Sequence, residues 1–250
     1  MFPILQIGGL AIQVPGLLIL LGIWLGLHTA ERGAGRHGVP AETLYNLAFN
    51  AIIAAVVGAR LAYAGLHLDA FIRSPLGLFS LRPELLDPLG GLAAGGLAFY
   101  IAVRRRSLDP GRVLDALTPL VAMLLIAIPV AHLAAGTGYG APTELPWAVD
   151  VWGASRHPIQ VYEILAATGI FAWFQYGPRI RNQTRISGVG FLNFLVISAA
   201  ARVFLEAFRG DGLLIGPGFR LAQVAGWAIA AAGLAGLWAL GRRAHEAVSE

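Results

Sequence analysis

The sequence predicts an all-α integral membrane protein, about seven transmembrane helices in a single domain over residues 1–250. Apolar residues make up 57% of the chain and charged residues only 13%. Mean hydropathy is strongly positive, and apolar runs of about 20 residues, long enough at 1.5 Å per residue to cross a bilayer's hydrocarbon, recur from end to end.

The runs fall at 9–29, 44–66, 88–103, 115–135, 160–176, 188–208 and 221–241. The first follows MFPILQIG, which has no basic side chain, so it reads as a retained span and not a cleavable signal. The second carries Arg60 directly after Gly58 and Ala59 in an otherwise apolar stretch. In the third, Gly90, Gly91, Ala93, Ala94, Gly95 and Gly96 recur at helical spacing. They permit close helix packing or expose backbone to a lipid headgroup. The triplet Arg104 to Arg106 then acts as a cytoplasmic stop. The fourth contains Pro129, with His132 three residues later near its outer end. Between 136 and 159, turn formers and interfacial aromatics such as Tyr139, Gly140, Pro142, Pro146 and Trp147 predict a loop along the outer interface that could gate a lateral opening. The fifth span opens at His157, Pro158, where proline suits a first helical turn. The sixth carries Arg202 and Glu206 with Arg209 at its edge, and Arg242 and Arg243 follow the seventh.

All eighteen basic residues are arginine, which simplifies the topology. Eleven fall in the loops after spans one, three, five and seven, and five in the opposite loops. The positive-inside rule therefore puts the N-terminus outside and the C-terminus in the cytoplasm. The basic balance reflects this bias and anionic headgroups, so nucleic acid is not an expected partner. The chain lacks cysteine, which excludes disulfides, a thiolate nucleophile and cysteine metal sites. No metal or cofactor is expected. Asn182, Gln183, Thr184 matches a glycosylation sequon but lies in a predicted cytoplasmic loop and is set aside.

Arg202, Glu206 and Arg209 are spaced by four and three, which puts them on one stripe of a helix. A charge near the bilayer centre costs ~2.5 to 3.5 kcal/mol on insertion scales, so the stripe should face protein or an anionic ligand. Gln160 and Glu163 share a face of the fifth helix and should point inward. With Arg60, the arginines outnumber the two nearby carboxylates. Guanidinium forks match phosphate oxygens bidentately, so a phosphate-bearing lipid is the expected ligand. The alternative is an internal lattice pairing Arg202 with Glu206 and Arg60 with Glu163. His157 and His132 are candidates for proton handling or for anchoring helix ends.

These residues resemble the prolipoprotein diacylglyceryl transferase family. The matching pieces are Gly58-Ala59-Arg60 with Tyr63, the Gly90 to Gly96 run, Tyr139-Gly140 followed by PTELPW, and HPIQVYE at 157–163, close to the family's HPSQLYE. Arg202, Glu206 and Arg209 fit its arginine, glutamate, arginine pattern. The resemblance implies transfer of the diacylglyceryl group of phosphatidylglycerol to a lipoprotein-precursor cysteine thiol, at the outer face of the bacterial inner membrane, with release of glycerol phosphate. Arg60, Arg202 and Arg209 would then bind phosphate and Glu163 and Glu206 would orient them. Gln160, Tyr139, Tyr162, His157 and His132 would position groups or move protons. Five positions depart from the pattern. Leu89 stands where the family has histidine, Pro129 and His132 where it has arginine and asparagine, Ser198 where it has tyrosine, and Thr137 where it has glutamate. His132 could replace the missing base. The departures leave open a relative that binds phospholipid but is catalytically impaired or redirected. An anion transporter is the remaining alternative, for which the sequence offers no convincing repeat.

Overall fold

The computed structural model describes residues 4–7, 10–79, 85–177, 186–215 and 218–249. The 182–184 triplet and Arg82, Arg179, Arg181 and Arg185 lie outside them. Eight α-helices are described: α1 Val14–Ala34, α2 Ala41–Leu66, α3 Leu68–Arg73, α4 Pro88–Arg105, α5 Pro110–Ala135, α6 Ile159–Tyr176, α7 Val189–Glu206 and α8 Leu221–Ser249. The described stretches Val14–His37, Ala41–Leu66, Pro110–Ala135, Val189–Glu206 and Leu221–Glu246 are long and apolar enough to cross a membrane. The third and fifth sequence-read spans also form helices, α4 and α6, each of 18 residues. Glycines and terminal arginines in one, and Gln160, Glu163 and aromatics in the other, hold their hydropathy down.

The first helix starts later than the apolar run suggests. Leu10–Gln13 is a strand, β2, paired antiparallel with β1 Ile4–Ile7. A continuous apolar run does not separate strand from helix, and Pro15 in the first turn of α1 marks the start of the helix. Pro119 and Pro129 both lie inside α5, which nevertheless runs 26 residues.

The chain divides into two compact units, Glu31–Ala116 on one hand and Met1–Ala30 with Leu117–Glu250 on the other. In the first, α2 and α4 lie together along a seam of small residues. A Cβ on Gly58 would collide with Ala94, one on Gly90 with Ala62, and one on Gly95 would stand 2.9 Å from the Ala55 Cβ. The glycine run therefore serves close packing. Asp87 caps α4, its carboxylate accepting from the Gly90 N–H at 2.6 Å, with Pro88 opening the helix.

In the second unit α8 packs on α7, where Cβ atoms on Gly226 and Gly233 would lie 2.6 Å from Val203 and Val196. Phe174 of α6 meets the buried Phe194 of α7 edge-on at 5.5 Å. The 136–158 connection is non-helical, as its turn formers predict. It carries a hairpin of β3 Val149–Val151 and β4 Ala154–Arg156. The two residues at its turn, Trp152 and Gly153, have φ of 55° and 75°, the positive pair that a tight two-residue hairpin needs. A second short hairpin pairs β5 Leu214–Ile215 with β6 Phe219–Arg220 ahead of α8.

Candidate functional site

The stripe read from the sequence forms, with a change of backbone at its end. Helix α7 stops at Glu206, but Phe208 and Arg209 donate their N–H groups to the carbonyls of Leu205 and Glu206 at 3.0 and 3.2 Å. This tighter winding carries the stripe one turn further. Arg202 Nη2 thus stands 2.9 Å from Glu206 Oε2, and Arg209 Nε 3.7 Å from the same oxygen.

Glu163 of α6 joins both arginines. Its Oε1 accepts a close hydrogen bond from Arg202 Nη1 and another from Arg209 Nη1 at 2.9 Å. Sequence reading offers Arg60 as a partner for Glu163; the partners described for Glu163 are Arg202 and Arg209. Arg60 is described in the other unit. It is buried, and donates Nε, Nη1 and Nη2 to the carbonyls of Leu78, Leu85 and Gly77 at 3.0, 2.9 and 2.8 Å. Arg60 therefore gathers the carbonyls of Gly77, Leu78 and Leu85 around one guanidinium.

A third carboxylate completes the cluster. Asp211 Oδ1 lies 3.0 Å from Arg209 Nη2 and accepts from Nε at 3.2 Å. Behind it, Arg220 of β6 donates Nη1 to the backbone carbonyls of Glu206 and Arg209, a cation where a helix's unpaired carbonyls collect. Burial works against the Arg209 charge, but the carboxylates of Glu163, Asp211 and Glu206 outweigh it and hold its pKa above the ordinary guanidinium value. The excess of positive charge read from the sequence is thus offset. Asp211 was missed because an i, i+2 neighbour does not share a helix face; the flanking Gly210 and Gly212 signal that the helix has already ended.

The loop that precedes α6 is fastened to this cluster by main chain. Ala141 donates its N–H to the Phe208 carbonyl at 2.8 Å and Gly210 to the Tyr139 carbonyl at 2.9 Å. On its other side, His157 donates to the Ala141 carbonyl and Thr143 to the Ser155 carbonyl, each at 3.0 Å. Glycine is required at both crossings. A Cβ on Gly140 would strike the carbonyl of His157, and one on Gly210 would lie 2.5 Å from the carbonyl oxygen of Gly140. Tyr139 packs under the Arg156 guanidinium at 4.8 Å from its ring centroid. Gln160, fully inward as its spacing predicts, donates to the Thr137 carbonyl at 2.9 Å. Tyr162 accepts from the Trp147 indole at 2.7 Å, and its hydroxyl lies 3.5 Å from His157 Nδ1. The His157 ring packs on Phe208 at 5.3 Å.

Within this unit a cavity of about 290 Å³ opens beside the cluster. Leu125, Ile128, Ala167, Ile170 and Leu205 form its apolar wall, and His132, Glu163, Ser198, Arg202 and Arg209 its polar one. Arg202 is the open cation, its side chain 39% exposed against 10% for Arg209. Two of the five N–H groups of its guanidinium face Glu163 and Glu206. Buried His132 Nδ1 and Ser198 Oγ have no hydrogen-bond partner among the described residues. His132 Nδ1 lies toward the loop at Gly138, where an added Cβ would stand 3.1 Å from it. Pro129 also lines the cavity.

Known proteins place the chain. Residues 3–239 match the family model described as prolipoprotein diacylglyceryl transferase. A phosphatidylglycerol–prolipoprotein diacylglyceryl transferase of Finegoldia magna is 28% identical over 229 residues, 92% of this chain and 91% of the relative. Proteins of the same name from a Synechocystis strain and from Sinorhizobium medicae are 29% and 30% identical, covering 93% and 96% of this chain and 86% and 90% of theirs. The chain belongs to the prolipoprotein diacylglyceryl transferase family.

Proposed function

We propose that the protein transfers the diacylglyceryl group of phosphatidylglycerol to the cysteine thiol of a lipoprotein precursor and releases glycerol phosphate. The observation that carries this reading is the two-sided cavity beside the Arg202, Glu163, Arg209 cluster. Its volume suits a glyceryl unit with a phosphate, and acyl chains would leave along the apolar wall toward lipid. Arg202 binds the phosphate with its remaining N–H groups. Glu163 and Glu206 fix its orientation, and Arg209, held by Glu163 and Asp211, keeps Glu163 in place. His132, which lines the cavity, takes the thiol proton. His157, Tyr162, Gln160 and Tyr139 shape the mouth of the site.

The same reading places all seven long helices across a bacterial inner membrane, N-terminus outside and C-terminus cytoplasmic, with the site toward the outer leaflet. Its support is the arginine bias of the loops and the lengths of the helices.

A second reading is favoured by Pro129 and Ser198, which line the cavity at positions that resemble the family's arginine and tyrosine. On that reading the protein holds an anionic phospholipid without transferring from it, or transfers to another acceptor. Purified protein incubated with phosphatidylglycerol and a lipobox peptide separates the two. A diacylglyceryl mass gain on the peptide cysteine, lost in His132→Ala, supports transfer through His132. Bound phospholipid with no modified peptide supports the second reading.

A further inference from the structure

The charges beside the cavity distinguish one kind of phosphate from another. Glu163, Glu206 and Asp211 stand against Arg202 and Arg209. Arg220, bonded to the carbonyls of Glu206 and Arg209, brings the sum to zero from the far side of the backbone. Two edges of the Arg209 guanidinium are already taken, Nη1 by Glu163 and the Nε, Nη2 edge by Asp211. An anion that approaches Arg202 therefore meets an arginine pair whose second member is neutralised.

The role of Asp211 in product release rests on the transfer reading. The thiol sulfur forms a bond to the glyceryl carbon while the carbon–oxygen bond to phosphate breaks. The electron pair stays on the phosphate oxygen and the thiol proton passes to His132, then to solvent. The phosphate begins as a diester with one negative charge and ends as a monoester. With a second pKa near 6, the monoester carries about −1.5 to −2 at neutral pH. Charge grows on the phosphate during the reaction. We infer that Asp211 tunes the site to hold the singly charged phosphodiester and to expel the doubly charged phosphomonoester, which makes Asp211 a specificity-determining residue for product release. Without it the cluster would carry one net positive charge and retain its product.

The test uses the full chain in detergent at pH 8 and two soluble headgroup compounds, glycerol phosphate as dianion and glycerophosphoglycerol as monoanion, with binding followed by calorimetry. The native protein binds the diester more tightly than the monoester. Asp211→Asn narrows that ratio about tenfold, the order expected for one unit charge roughly 10 Å away at an effective dielectric of about 20. Asp211→Glu, which keeps the charge, keeps the ratio. A native protein that prefers the monoester, or an unchanged ratio in Asp211→Asn, overturns the inference, as does failure of both compounds to bind. Turnover with phosphatidylglycerol and a lipobox peptide is measured in parallel. Turnover with an unchanged ratio removes this inference and leaves the transferase reading. The expected ratio change without turnover removes transfer and leaves the charge selection.

Discussion

Replacing Glu163 tests the joint on which the site depends. Its Oε1 is the shared acceptor of Arg202 and Arg209, so one atom ties α6 to two points on and beyond α7. Glu163→Gln keeps an acceptor of the same shape and removes the charge; Glu163→Ala removes both. Breaking a buried ion pair from one side costs about 3 to 5 kcal/mol. The Arg202 share is discounted because that side chain is 39% exposed and solvent screens it. Arg209, 10% exposed, carries most of the effect. A total near 3 kcal/mol for Glu163→Ala converts to a fall in Tm of roughly 6–12 °C at 2–4 °C per kcal/mol for a chain this long. Glu163→Gln should fall about half as far. The assay is thermal unfolding in detergent, followed by circular dichroism, on the single variants and on the pairs with Arg209→Met and Arg202→Met. Coupling between Glu163 and Arg209 should exceed coupling between Glu163 and Arg202, and lie within the 0.5 to 3 kcal/mol found for contacting residues. Additive losses, or stronger coupling to the exposed Arg202, would refute the arrangement described.

Four other substitutions probe close packing and main-chain joints in the two units. Gly140→Ala and Gly210→Ala each place a methyl against a carbonyl of the adjoining segment; both should abolish peptide modification while α-helical content, read by circular dichroism, stays. Gly90→Val should prevent α2 and α4 from closing, because even a Cβ there collides with Ala62, and the protein should fail to extract as a monodisperse species. Arg220→Met removes two hydrogen bonds to the turn after α7. With hydrogen bonds to a charged group worth about 1.5 to 3 kcal/mol each, activity should fall at least tenfold and Arg220→Lys should recover part of it, as measured by single-turnover labelling of the peptide.

Much of this was legible in the sequence because membrane helices obey simple arithmetic. Apolar runs found the helices, and spacing alone put Gln160 and Glu163 inside the protein and Arg202 beside Glu206. What escaped detection lies where periodicity stops. Asp211 and Arg220 sit in the non-helical stretch between α7 and α8, and their partners follow from a turn and a hairpin that no repeat announces. Arg60 looked like a ligand group from its isolation in an apolar span. Its carbonyl partners, Gly77, Leu78 and Leu85, lie 17 to 25 residues further along, a separation that no helical periodicity announces. The start of α1 moved because an oily run can be strand as readily as helix.

The joining of Tyr139, Ala141, Phe208 and Gly210 through main-chain atoms has an evolutionary consequence. Peptide groups are common to nearly every amino acid, so the framework beside the cavity survives replacement of the side chains it displays, provided the two glycines stay. Lineages of this fold are then free to exchange the chemistry of the cavity wall without having to reinvent its scaffold.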